Sequence, residues 1–130
     1  MPITSPLRSD LFITSKVFNT RMHPEEVGSA LRDTLSDLGL DYVDLYLVHW
    51  PIAFQRGPVD FPARPDGSMV FDESVHPAEA YRALEALVEA GLARDIGVSN
   101  HNQSQVEDIM GKAKVKKKGK GFWSFGARKS

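Results

Sequence analysis

The sequence contains no cysteine. That excludes a disulfide framework and any thiolate metal site, and it suits a reducing, cytoplasmic setting. No apolar run approaches the roughly 18 residues that a membrane span requires. Met1-Pro2-Ile3-Thr4-Ser5 lacks the charged-then-apolar layout of a signal peptide, so no leader is expected. Acids are missing from one stretch: Gly111 to Ser130 holds eight Lys or Arg and no Asp or Glu. The formal net charge of -1 over 130 residues therefore hides an acidic body, with eight basic against seventeen acidic residues for a balance of -9, joined to a basic tail. We place a boundary near Met110, with a body over 1–110 and a tail over 111–130. At this length the body is one domain with a modest core.

What is present centres on Val43-Asp44-Leu45-Tyr46-Leu47-Val48-His49-Trp50-Pro51. Leu45, Leu47 and Val48 are apolar, and Val43, Tyr46 and Val48 favour extended backbone, so the stretch begins as a buried strand. It ends on an ionisable ring, an indole and a proline. Pro51 cannot donate to a sheet ladder and holds Trp50 extended, so pairing stops near here.

Upstream, Leu11-Phe12-Ile13-Thr14-Ser15-Lys16-Val17 is rich in β-formers and reads as a first strand. A helix follows, with Pro24 at its first position, Glu25 and Glu26 where the helix dipole favours acids, and an apolar stripe of Val27, Leu31, Leu35 and Leu38. Gly39 stops it. After the central strand, Pro51, Gly57, Pro58, Pro62, Pro65 and Gly67 break any regular element as far as His76. A loop of roughly 25 residues is long for a compact domain, and such loops are functional or disordered more often than they merely connect. Its apolar residues Ile52, Phe54, Val59, Phe61, Met69, Val70 and Phe71 point to packing, and Pro65-Asp66-Gly67-Ser68 reads as the tip of a small hairpin. A second helix opens at Pro77, with Ala80, Leu84, Leu87 and Val88 on one side and Gly91 closing it. The two helix starts rhyme, His23-Pro24-Glu25-Glu26 and His76-Pro77-Ala78-Glu79. Both histidines read as residues flanking a helix start, with no partners around them to make a metal set. Asp95-Ile96-Gly97-Val98-Ser99-Asn100 is a third strand, and a third helix begins near Gln103 with Val106, Ile109 and Met110 on one side.

The body thus alternates β-α-β-α-β-α, which implies parallel strands with right-handed crossovers. Parallel strands end at one edge of the sheet. That edge gathers Lys16 from the first strand, His49 and Trp50 from the second, and Ser99 and Asn100 from the third. Each has an ordinary reading as well: a solvated lysine, a structural histidine at a strand end, and two polar residues that cap or turn into the next helix.

Four segments in this order resemble the aldo-keto reductases: Leu11-Phe12-Ile13-Thr14-Ser15-Lys16, Asp41 through Pro51, Ala83-Leu84-Glu85-Ala86-Leu87-Val88-Glu89-Ala90-Gly91-Leu92, and Gly97-Val98-Ser99-Asn100. The resemblance covers about residues 8 to 110. It implies an α/β fold, an incomplete TIM (β/α)8 barrel of three parallel β/α units; the basic tail, by its run of like charge, is expected to be disordered. It implies an oxidoreductase that reduces aldehydes and ketones to alcohols by hydride transfer from NADPH, with no metal. By the same resemblance Lys16 and His49 match catalytic residues, Trp50 lines the substrate pocket, and Ser99 and Asn100 hold the nicotinamide carboxamide. The loop from Pro51 to His76 matches a substrate-pocket loop.

The departures matter as much. The family's proton-donating tyrosine and the aspartate that pairs with its lysine precede the Ile-Thr-Ser-Lys strand, so this stretch is expected to be inactive by itself. Tyr42 and Tyr46 sit in or beside the His49 strand and do not replace the tyrosine. His101 stands where the family usually has phenylalanine. Three strands leave open edges and a bare apolar inner face, from which self-association is expected. The tail reads more readily as a solvated, non-homologous end than as a basic arm for nucleic acid or an anionic membrane. The alternative function is a non-catalytic binding or regulatory fragment, acting through that tail or by associating with a full-length reductase.

Overall fold

The computed structural model describes residues 5–112 and 124–125. Its strands are β1 (Thr14–Val17), β2 (Val43–Val48), β3 (Ala93–Ser99) and β4 (Ser124–Phe125); its helices are α1 (Pro24–Leu38), α2 (Pro77–Glu89) and α3 (Gln103–Lys112). The strands form one sheet in the order β1-β2-β3-β4, and every neighbouring pair runs parallel. Successive parallel strands joined through helices make an arc of a (β/α) barrel. Ser124 and Phe125 pair with Val98 and Ser99 on the far side of β3. The expected disorder of the basic tail falls otherwise on positions outside the described residues.

Local chemistry sets the helix limits. Pro24 and Pro77 open α1 and α2, each with acids in the first turn, as a locked φ and the helix dipole favour. His76 caps α2 directly: its Nδ1 accepts from the Ala78 amide at 3.1 Å. The two helices also end alike. In α1 the Gly39 and Leu40 amides return to the Ser36 and Leu35 carbonyls. In α2 the Gly91 and Leu92 amides return to those of Val88 and Leu87. Both glycines are left-handed, with φ of 68° and 79°. This is the Schellman arrangement, and it turns the following leucine back onto the helix.

Two boundaries differ from the sequence reading. Leu38 is 53% exposed and does not belong to the buried stripe, which comprises Val27, Ala30, Leu31 and Leu35. The left-handed turn at Gly39 brings Leu40, not Leu38, against the core. Regular pairing in β1 begins at Thr14 and not Leu11. Arg8–Asp10 is a short 3-10 turn, and the Ile13 amide goes to the Asp44 carboxylate at 2.9 Å instead of to a strand partner. Leu11 and Phe12 are left exposed.

The core lies between the sheet and the helices, built from Val17, Tyr46, Val48, Ile96 and Val98 on the strands and Val27, Leu31, Tyr81, Leu84 and Leu87 on α1 and α2. The opposite sheet face was expected to be bare. Instead Leu45 and Leu47 on β2 are only 3% and 2% exposed. At the amino ends of the strands Arg8 donates to Asp44 at 2.7 Å and to the Tyr42 carbonyl at 2.9 Å. The Tyr42 ring lies under two guanidinium groups, Arg8 at 4.0 Å and Arg94 at 4.4 Å. This lock closes the end of the sheet opposite His49.

Candidate functional site

Side chains alternate along a strand, and in-register parallel neighbours share a face. Lys16 pairs with Leu47, and Leu47 with Gly97. His49 and Ser99 each lie two residues beyond those partners, on the same face and roughly 6–7 Å nearer the rim. Val17, Val48 and Val98 are in register with one another and face the helices. Lys16, His49 and Ser99 therefore look away from the core, at the carboxyl ends of three adjacent strands.

The links between them are specific. The Asn100 side-chain amide donates to the His49 carbonyl at 3.0 Å and to the Ser99 hydroxyl at 3.2 Å. The first bond ties the end of β3 to the end of β2. Asn100 has φ 60°, and among the described residues it is the one non-glycine with positive φ. Asparagine tolerates that conformation better than most residues. Trp50, 44% exposed, stacks on the His49 ring with centroids 5.8 Å apart. The ring nitrogens of His49 and the Lys16 ammonium bond no described residue. Burial, and then the positive charge of Lys16, hold the His49 imidazole below its ordinary pKa of 6.5. At neutral pH that ring is uncharged, with one N–H to donate.

The long loop builds the wall beside the imidazole. Phe54 bridges to Phe71 and Ala63 to Met69, so the loop folds as an irregular hairpin with its tip at Arg64–Ser68. Phe18 stands edge-on to His49 at 6.1 Å, to Phe54 at 6.1 Å and to Phe61 at 5.6 Å. Buried Asn19 anchors the loop, donating from its side chain to the Ile52 carbonyl at 2.7 Å and accepting from the Phe54 amide on its own carbonyl at 2.9 Å. Arg56 pairs with Glu25 at 2.9 Å and Glu26 at 2.6 Å, strapping the loop to the start of α1. Sequence reasoning passed over Phe18, Asn19 and Arg56. Phe18 and Asn19 follow directly on Lys16 and Val17, and a strand end that carries one candidate residue warrants attention to the two or three after it.

The chain's three tyrosines lie away from this rim. Tyr46 is in the core and burial drives its phenol pKa far up. Tyr81 is buried on α2 and shifted the same way by burial. Tyr42 sits under the arginines at the far end. Among the described residues no group of three His, Asp or Glu could hold a metal ion. Chemically, the rim offers a neutral imidazole donor, an ammonium unpaired among the described residues, a hydroxyl–amide couple and an aromatic wall.

A parallel barrel arc with polar residues converging at its carboxyl rim defines an α/β-barrel type of fragment. The family model for the aldo/keto reductase family matches residues 4–121, and the chain belongs to that family. It is 54% identical over 109 residues to aldo-keto reductase family 1 member A1 of Gallus gallus, covering 84% of this chain and 33% of that protein. The Homo sapiens protein of the same name is 52% identical over the same length. Among solved structures, aldose reductase from Schistosoma japonicum superposes with a TM-score of 0.82 at 39% identity, covering 84% of this chain and 36% of that one. Aldose reductase from Giardia lamblia gives 0.80 at 43% identity, with 83% and 36% covered. The chain spans about a third of the length of the curated relatives it matches.

Proposed function

We propose that this chain carries part of the site of an NADPH-dependent carbonyl reductase, acting on a small aldehyde or ketone. The observation that supports it most is the bond from Asn100 to the His49 carbonyl, which joins the cofactor-holding pair to the substrate-orienting histidine in one rigid unit. A carboxamide needs one acceptor and one donor. Asn100 Oδ1 takes no hydrogen bond from any described residue, and the Ser99 hydroxyl keeps its own proton to donate, so the couple fits a nicotinamide amide. When bound there, NADPH supplies the hydride.

The chain's own residues orient and polarise. The uncharged His49 ring donates to the carbonyl oxygen and fixes its direction. As negative charge grows on that oxygen, the Lys16 ammonium on the same face stabilises it. The Phe18, Phe54 and Phe61 rings and the Trp50 ring give the site an apolar border. The oxygen must finally gain a proton, and none of the three tyrosines can deliver it at this rim. Lys16 and His49 therefore serve a donor that no described residue places at this rim. A cytoplasmic setting belongs to the same reading and draws on the cysteine-free composition.

Titrating the isotope-labelled chain with NADPH tests the cofactor part. Shifts are expected at Ser99, Asn100 and His49 and should be lost in Asn100→Ala; shifts confined elsewhere would overturn it. With NADPH and a broad aldehyde the chain should show background oxidation only. Turnover abolished by His49→Ala would contradict the assignment of the proton donor. The free edge of β1, which pairs with no described strand, supports self-association. Sedimentation should then show a mass that rises with concentration, and a constant monomer mass rejects that point.

A further inference from the structure

His101 follows Asn100 directly and points inward where its neighbours face solvent. It is 2% exposed. Its Nδ1 lies 2.6 Å from the Ser99 carbonyl. A carbonyl oxygen only accepts, so Nδ1 carries the proton and Nε2 is the bare nitrogen of the neutral ring. Nε2 is buried and has no hydrogen-bond partner among the described residues. The bond from His101 back to Ser99 closes a small ring over Asn100, the residue with reversed backbone. Asn100 is thus held from two sides: its side chain by the His49 carbonyl, and its main chain by the His101 ring.

We propose that His101 is a positioning residue: its neutral ring locks the Ser99–Asn100 turn through the Ser99 carbonyl, and a proton added at Nε2 unlocks that turn. The physical reason is the surroundings of Nε2. A second proton would create a buried cation with an N–H that finds no acceptor among the described residues, and the ring would have to leave its pocket to be solvated. Leaving breaks the Nδ1 bond and frees Asn100 from its left-handed conformation. Burial is the main influence disfavouring the charged ring, with the Ser99 carbonyl pulling weakly the other way, and no charged side chain among the described residues acts on it. The other titrating group at the turn is His49, under the influence of Lys16. Only the consequence for cofactor grip rests on the function proposed above; the lock itself does not.

The test uses the full chain without cofactor. The His101 ring and the Ser99 and Asn100 amides are followed by NMR between neutral and mildly acidic pH. The amide shifts should move in step with the His101 titration, at a midpoint below 6.5. Amide exchange in the turn, corrected for the intrinsic pH effect, should speed up by about tenfold once the ring is charged, the change that loss of roughly one hydrogen bond produces. His101→Asn, which can still donate to the carbonyl but cannot titrate, should keep the turn protected and abolish the pH step, while His49 still titrates. His101→Phe should leave the turn unprotected at every pH. Turn amides that ignore the His101 titration, or a pH step that survives in His101→Asn, would overturn the proposal. The wild-type and His101→Asn comparison decides even if His101→Phe does not fold.

Discussion

Asn100 shows how much one residue can hold. Its backbone lies at φ 60° and its side chain reaches the end of β2. Asn100→Ala removes the bond and keeps the left-handed strain, so it should cost about 1–2 kcal/mol in urea denaturation. Asn100→Gly removes the bond and relieves the strain, and should cost less; the reverse order would show that the left-handed conformation carries no strain. His49 offers a second check. Lys16→Met removes a repelling charge and should raise the His49 midpoint by NMR, yet leave it below 6.5 because burial is the larger cause. That Lys16, His49, Ser99 and Asn100 share an edge follows from strand order alone and is legible in the sequence. The Asn100–His49 bond and the inward turn of His101 are not, because each depends on a single torsion at the end of a strand.

The paired helices α1 and α2 are the best-read elements. Pro at the start, acids in the first turn and Gly at the end act within one or two turns, so a local string carries them. Gly39→Ala and Gly91→Ala should each cost roughly 1–2 kcal/mol from the left-handed backbone. Beyond the adjoining residues no heavy atom lies within 4 Å of a Cβ built at either position, so no clash adds to it. A larger loss at either site would point to crowding instead. The loop is anchored unequally. Arg56→Ala removes ion pairs that are largely exposed and should leave the urea midpoint almost unchanged. Asn19→Ala leaves the Ile52 carbonyl without its buried partner and should cost about 1–3 kcal/mol. Leu38 and the start of β1 were misread for two other reasons. The left-handed torsion at Gly39 decides which leucine covers the helix end, and the partner of the Ile13 amide is Asp44, far along the chain.

For the whole molecule the titrating groups define two pH windows. His49 and His101 are both held below 6.5, chiefly by burial. The unfolded chain therefore binds more protons than the folded one as pH falls through 6.5, and stability drops with it. Asp44 is held below its ordinary 3.8, first by the Ile13 amide and then by Arg8, so its contribution is complete above that pH and is lost only in stronger acid. Urea midpoints should begin to fall as pH drops through 6.5 and fall further below about pH 4. A midpoint flat from 7.5 to 5.5 would contradict the histidine assignment. His101→Asn should shrink the first fall and leave the second.

The sequence by itself determined the order of strands and helices, the parallel sheet, the family, and the set of polar residues that arrive at one rim. All of these depend on local preference and on strand direction, which short patterns encode. Tertiary structure alone decided which leucine covers the core, how Phe18 and Asn19 join the loop to the rim, and why His101 is buried. The loop contacts join residues distant in the chain, and the other two outcomes turn on single backbone torsions, at Gly39 and at Asn100, that short patterns do not encode.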